Sequence, residues 1–263
     1  MPTLLLILGF LAALASLCAV VRLHHASVLA MFVMSAGWLG AELAPILHGV
    51  QAIVAGALVA LGALDETQGV IGLLAMLAAM AMLARAHMVA KGAREVLADA
   101  LSAHHAEAAE AVRGATTAVP RNPFRYDKSR LTLLKDIEYG PEKAHKLDVY
   151  RPHGDAHGLP ILLYVHGGGW VSGNKEQQAL PLLHRLPDEG WVGITINYRL
   201  APKHRLPAGA DDVARAIEWI RANPEIHGGD PDHIVISGGS AGGHLAAVAG
   251  LTDPAITAAV PIY

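Results

Sequence analysis

The chain has a single cysteine, Cys18, so no intrachain disulfide can form and thiol pairing says nothing about compartment. Charge is also scarce in the first third. From Met1 to Ala84 the only charged side chains are Arg22, Glu42, Asp65 and Glu66. No lysine occurs before Lys91, and no Lys or Arg precedes the first apolar run, which weighs against a secretory leader. Basic excess is absent too. Lys and Arg number 20 against 23 Asp and Glu, a formal net charge of −3 that gives no case for nucleic acid. No Cys or carboxylate pattern accompanies His104-His105, so that pair reads as solvated surface and no metal or cofactor is expected.

Apolar residues fill the space that charge leaves. They make up 53% of the sequence, and the mean hydropathy is +0.37. Thr3–Val21 is long enough to cross a hydrocarbon core of about 30 Å. It is closed by Arg22, His24 and His25. Ala26–Leu64 is too long for one helix, and Glu42-Leu43-Ala44-Pro45 with His48-Gly49 marks a break. Asp65-Glu66-Thr67-Gln68 is a polar turn, and Gly69–Ala84 is a last short span ended by Arg85. Runs with almost no polar face argue against the helical bundle of a soluble domain. Residues 1–86 are therefore expected to form three or four transmembrane helices of a multi-pass integral membrane protein. The positive-inside rule, applied to Arg85, Lys91 and Arg94, puts the C-terminal half of the chain, residues 123–263, in the cytoplasm.

Residues 87–122 change character. Val89, Val96, Leu97 and Leu101 fall near one helical face, while Lys91, Arg94, Glu95, Asp99, Glu107 and Glu110 bring charge. A long amphipathic helix is expected, then a linker over Gly114–Asn122 marked by Pro120 and Pro123. Residues 123–263 alternate short apolar strands with helical patterns. Strands are expected at Lys135–Tyr139, Lys146–Tyr150, Ile161–Val165, Trp191–Asn197 and Thr257–Tyr263. Helices are expected at Gln177–Asp188 and Ala208–Ala222, and a turn at Gly228–Asp232. Such alternation implies a mostly parallel sheet covered on both faces, with ligands beyond the carboxyl ends of its strands.

Two of those strand ends carry the chemistry. Ile234-Val235-Ile236 leads into Gly238-Gly239-Ser240-Ala241-Gly242, which reads G-x-S-x-G, and a helical pattern follows. A serine in that setting sits on a turn too sharp for large neighbours, with its hydroxyl at a helix N-terminus. Upstream, Pro160–Val171 ends an apolar strand in His166-Gly167-Gly168-Gly169. Three glycines free backbone N–H groups to face an oxyanion. The place of His166 at the strand end indicates a role in holding the loop rather than in proton transfer.

From Lys135 to Tyr263 the sequence resembles the hormone-sensitive-lipase-like branch of α/β-hydrolase esterases. Besides the two motifs, Asn197-Tyr198-Arg199-Leu200-Ala201-Pro202 resembles a characteristic stretch of that family. Leu206-Pro207-Ala208 with Asp211-Asp212-Val213 and Trp219 resembles its next helix. Gly239 and Asn197 depart from it, standing where Asp is common. The resemblance implies an α/β-hydrolase fold and a serine esterase acting on a small-molecule or lipid ester. Ser240 would be the nucleophile, with the N–H groups of Gly168, Gly169 and Ala241 as oxyanion donors. A peptidase or amidase of the same fold, or an inert hydrolase-like membrane protein binding a lipid or partner, are the alternatives.

The resemblance also implies an acid and then a histidine after the nucleophile. After Ser240 the chain offers His244 and Asp253, in the wrong order, and His244 reads as a packing residue. The expectation is therefore a C-terminally incomplete sheet without its triad acid and base.

Overall fold

The computed structural model describes residues 1–21, 28–115 and 128–263. Arg22, His24 and His25 lie outside the described residues, as does most of the linker expected over Gly114–Asn122. The chain divides into two units, 1–117 and 118–263.

The first unit is helical: α1 (Pro2–Leu17), α2 (Val28–Glu42), α3 (Ala44–Ala60), α4 (Thr67–Ser102) and α5 (Ala106–Gly114). α1 lies against α4 where two glycines meet. A Cβ on Gly9 would fall 2.1 Å from the carbonyl oxygen of Gly72, a backbone approach only glycine permits. Leu5, Met76 and Leu83 are buried there, while Phe10, Leu14, Ile53 and Leu74 point outward. His48 spans two helices, with Nδ1 at 2.6 Å from the Ala44 carbonyl and Nε2 at 2.9 Å from that of Met80.

Three or four spans were expected, and the helix lengths do not supply them. Among the described residues α4 is the one helix long and apolar enough to cross a membrane. Phe32–Glu42 and Ala44–Ala60 are bent by 81° at Leu43 and qualify only if counted as one broken span. α1 rises about 24 Å, short of a core of about 30 Å. The break at Glu42–Pro45 falls where the sequence placed it. The apolar run expected to end at Arg85 instead continues without interruption through the amphipathic segment, as one helix of 36 residues. α5 then folds back, and Arg113 meets Asp99 at 2.8 Å.

The second unit is a six-stranded sheet with strands β1 (Thr132–Glu138), β2 (Lys146–Arg151), β3 (Leu159–Val165), β4 (Val192–Ile196), β5 (Gly229–Gly239) and β6 (Ile256–Ile262), in the order β1-β2-β4-β3-β5-β6. β1, β2 and β4 pair antiparallel, and β4, β3, β5 and β6 pair parallel. This mostly parallel sheet, with helices on both faces, is an α/β-hydrolase-type architecture. Side chains alternate across β3. Leu163 and Val165 join Ile194, Ile236 and the apolar stripe Val213, Ala216, Ile217 and Ile220 of α7 (Ala208–Ala222). Tyr164 faces the other way, in a cluster with Tyr150 and with Leu183 of α6 (Leu180–Arg185).

The strands fall within a few residues of the pattern. Two stretches differ. The helix expected from Gln177 begins only at Leu180, because the Gln178 side chain is drawn into a loop contact and Pro181 favours a helix start there. The turn expected at Gly228–Asp232 is instead largely strand, since Gly229 pairs with Leu159. α8 (Pro224–His227) precedes it, and α9 (Ala241–Thr252) follows β5.

Candidate active site

β5 ends at Gly239 and α9 starts at Ala241, leaving a single residue, Ser240, to reverse the chain. Its backbone sits at φ 51°, ψ −115°, a strained conformation for a residue with a Cβ. The flanking glycines show why the turn can be so tight. A Cβ on Gly238 would lie 2.6 Å from the Gly242 carbonyl carbon, and one on Gly242 would lie 2.0 Å from the Val165 oxygen. Strand, turn and helix are thus pressed onto the end of β3. The Ser240 N–H donates to Ile262 at 2.8 Å, and the residue is exposed. Among the described residues its hydroxyl has no hydrogen-bond partner.

The loop after β3 meets this turn. A Cβ on Gly167 would fall 2.6 Å from the Gly239 oxygen, so the two stretches singled out in the sequence share one edge of the sheet. Gly168 and Gly169 take φ of 132° and 61°, and Trp170 takes 62°. The Gly168 carbonyl accepts from Val171 N, Ser172 N and Ser172 Oγ, which closes the loop on itself. Among the described residues no acceptor takes the N–H groups of Gly168, Gly169 or Ala241.

His166 holds the loop from beneath. It is 1% exposed, donates from Nδ1 to the Gly167 carbonyl at 2.8 Å, and stacks on Tyr198 at 4.5 Å between ring centroids. The Tyr198 hydroxyl donates to the His166 carbonyl at 3.0 Å. Burial pushes the His166 imidazole below its ordinary value, keeping it neutral. Burial likewise pushes Tyr198 up to about 12. His244, one turn past Ser240 on α9, meets Trp170 in a T-shaped pair with ring centroids 5.5 Å apart, and its Nδ1 is buried without a partner among the described residues.

Two buried ionic networks escaped the sequence reading. Lys175, 2% exposed at its side chain, bonds Asp148 at 2.7 Å and Asp136 at 2.9 Å. Its N–H donates to Asn197 Oδ1 at 2.7 Å, which gives Asn197 a structural task of its own. Burial acts to lower the Lys175 ammonium, and the carboxylates of Asp148 and Asp136 outweigh it and raise it. Asp212, fully buried on α7, accepts from Arg199 Nη2 at 2.6 Å, from the Arg199 N–H at 2.7 Å and from His145 Nε2 at 2.9 Å. Burial acts to raise the Asp212 carboxyl, and hydrogen bonds from Arg199 and His145 hold it below the usual carboxylate range instead. One signal for Asp212 was present: it lies four residues before Ala216, on the buried stripe of α7. No local pattern marked Lys175. Among the described residues no group of three or more His, Cys, Asp or Glu side chains is placed to hold a metal ion.

Residues 147–258 match the family model BD-FAE. The probable carboxylic ester hydrolase LipM of Mycobacterium tuberculosis is 43% identical over 144 residues, covering 49% of this chain and 33% of LipM. Esterase LipC of the same organism is 46% identical over 135 residues, covering 50% of this chain and 34% of LipC. Esterase LipQ is 43% identical over 144 residues, with 49% and 34% covered. The chain thus spans about a third of the length of the curated relatives it matches. Within its C-terminal half this chain is thus similar in sequence to carboxylic ester hydrolases, on a mostly parallel sheet covered by helices.

Proposed function

We propose that the second unit is the nucleophile-bearing part of a serine carboxylic-ester hydrolase. The observation that carries this is Ser240, an exposed hydroxyl at φ 51° on the one-residue turn between β5 and α9. In this reading the Ser240 oxygen attacks the ester carbonyl, and its proton passes through a base to the departing alcohol. The free N–H groups of Gly168, Gly169 and Ala241 hold the oxyanion. Each such donor is worth about 3 kcal/mol in the transition state. Small-molecule or lipid esters are the substrate class, and no nucleic acid is involved. Outward-facing Phe10, Leu14, Ile53 and Leu74, with the apolar half of α4, support attachment of the first unit to a bilayer.

A second reading has one observation in its favour: no histidine hydrogen-bonds the Ser240 hydroxyl among the described residues. An inert fold that binds a lipid or partner fits that fact. A fluorophosphonate probe applied to the gene product in its own membranes separates the two. Labelling that Ser240→Ala abolishes supports the esterase. An unlabelled Ser240 assigns the unit to binding.

A further inference from the structure

A cavity of about 300 Å³ lies against the oxyanion loop, and Gly169 and Trp170 form one of its walls. Its other apolar walls are Tyr198 and Leu206. Whatever fills it lies against the loop whose N–H groups face the reacting carbonyl. Trp170 is fixed in place: its carbonyl accepts from Ala201 N at 2.8 Å, and its ring meets His244, one turn from Ser240.

The charged lining of this cavity is of one sign: Arg199 and Arg205 contribute to it, and no Asp or Glu does. Arg199 is already neutralised by Asp212. Arg205 is not: among the described residues its guanidinium has no ion pair or hydrogen bond, and the same holds for the adjacent Lys203 ammonium. The lining of an otherwise apolar cavity therefore includes an exposed, unpaired cation, carried on the chain between Ala201 and the first turn of α7.

From this geometry we infer that the cavity takes the acid-bearing arm of an anionic ester, a half-ester whose free carboxylate pairs with Arg205 while its apolar part lies between Trp170 and Leu206. This rests on the esterase reading for the identity of the ester, and it adds the substrate class. A guanidinium presents two parallel donors to a carboxylate, a match that a neutral ester tail cannot make.

The test uses the full chain carrying Ser240→Ala, so that bound ester is not consumed, with calorimetric titration of monobenzyl succinate and of neutral benzyl butyrate. The anionic ester is expected to bind about tenfold more tightly, with the preference shrinking at high salt. Arg205→Gln should erase the preference and leave benzyl butyrate unchanged, and Leu206→Ala should weaken both esters. Equal affinity for the two esters, or a preference that survives Arg205→Gln, overturns the assignment. So does an Arg205→Gln variant that loses binding to anionic lipid vesicles while keeping its preference, since the cation would then serve the membrane. Probe labelling of Ser240 is scored separately. A preference without labelling leaves the pocket standing and removes the esterase reading. Labelling without a preference does the reverse.

Discussion

Gly242 lies so close to Val165 that a Cβ on the glycine would sit 2.0 Å from the valine's carbonyl oxygen. Backbone cannot yield there as a flexible side chain would. Gly242→Ala should therefore cost about 1–3 kcal/mol or more, read as a lowered midpoint of thermal unfolding of the second unit. Gly239 is the control. A Cβ there would meet Tyr164 Oη at 3.4 Å and Gln178 Oε1 at 3.6 Å, ordinary contacts. Gly239→Ala should leave the midpoint unchanged or raise it slightly, and an equal loss in both variants would show that the contact with β3 does not matter.

The oxyanion loop separates shape from space. Around Gly169 a Cβ finds only Val171, at 3.9 Å, so bulk is tolerated, but φ of 61° is not a conformation a β-branched residue holds. Gly169→Val should keep the fold while turning the N–H away from the carbonyl. In the gene product, ester turnover should fall by about 100-fold or more with KM changed less. His166→Ala, which removes only a prop under the loop, should cost less than Ser240→Ala. Unchanged turnover in Gly169→Val would reduce the glycine to turn geometry.

Lys175 and Asp148 are both buried, so cutting the pair from one side strands a charge. Lys175→Met should destabilise the second unit by about 3–5 kcal/mol. The double variant Lys175→Met with Asp148→Asn should recover most of that loss, because the amide oxygen still accepts from Asp136 N, now at 2.8 Å from Asp148 Oδ1. A double variant no better than the single one would mean that the ammonium matters for packing rather than charge.

Acid should act in two stages. His166 and His227 are buried and held below the ordinary histidine value, so the unfolded chain takes up protons first. Their contribution is complete above about pH 6.5 and drains as pH falls toward their folded values. Asp212 is held below its ordinary value as well, so its contribution is complete above about pH 4 and is lost below that. Denaturant midpoints at pH 7, 5.5 and 3.5 should trace both steps. His166→Gln should flatten the upper one, and Asp212→Asn the lower.

Residues 1–263 expressed alone should hydrolyse a short-chain nitrophenyl ester no faster than their Ser240→Ala variant. An unassisted serine hydroxyl is a poor nucleophile, and no base bonds Ser240 among the described residues. A Ser240-dependent burst would refute this and direct attention to His166 or His244.

The two glycine-rich strand ends were legible because they are local: apolar run, small residues and helix pattern all occur within a dozen positions. The order of strands along the sheet was not, since β4 sits between β2 and β3 through contacts no nearby residue encodes. Span number was not legible for a related reason. Hydropathy shows which residues avoid water and does not show where Leu43 breaks a run into helices of 15 and 17 residues. Lys175 was invisible because its carboxylate partners lie about thirty to forty positions upstream. Arg205 carried no local signal, and only the fold brought it into the lining of a cavity.

The position of β3 has a consequence for how this unit comes to exist. Its neighbours are β4 and β5, and Ile161 pairs with Ile234, about seventy residues later in the chain. A strand emerging from the ribosome at that point has one flank empty until β5 has been made. Closing so long a loop delays the central pairing and makes assembly slow for the unit's size. Because the serine turn follows β5 directly, the nucleophile is formed in the same late event that completes the sheet's middle. A half-made chain therefore exposes an apolar strand with no reactive centre, which is where a chaperone would be most needed.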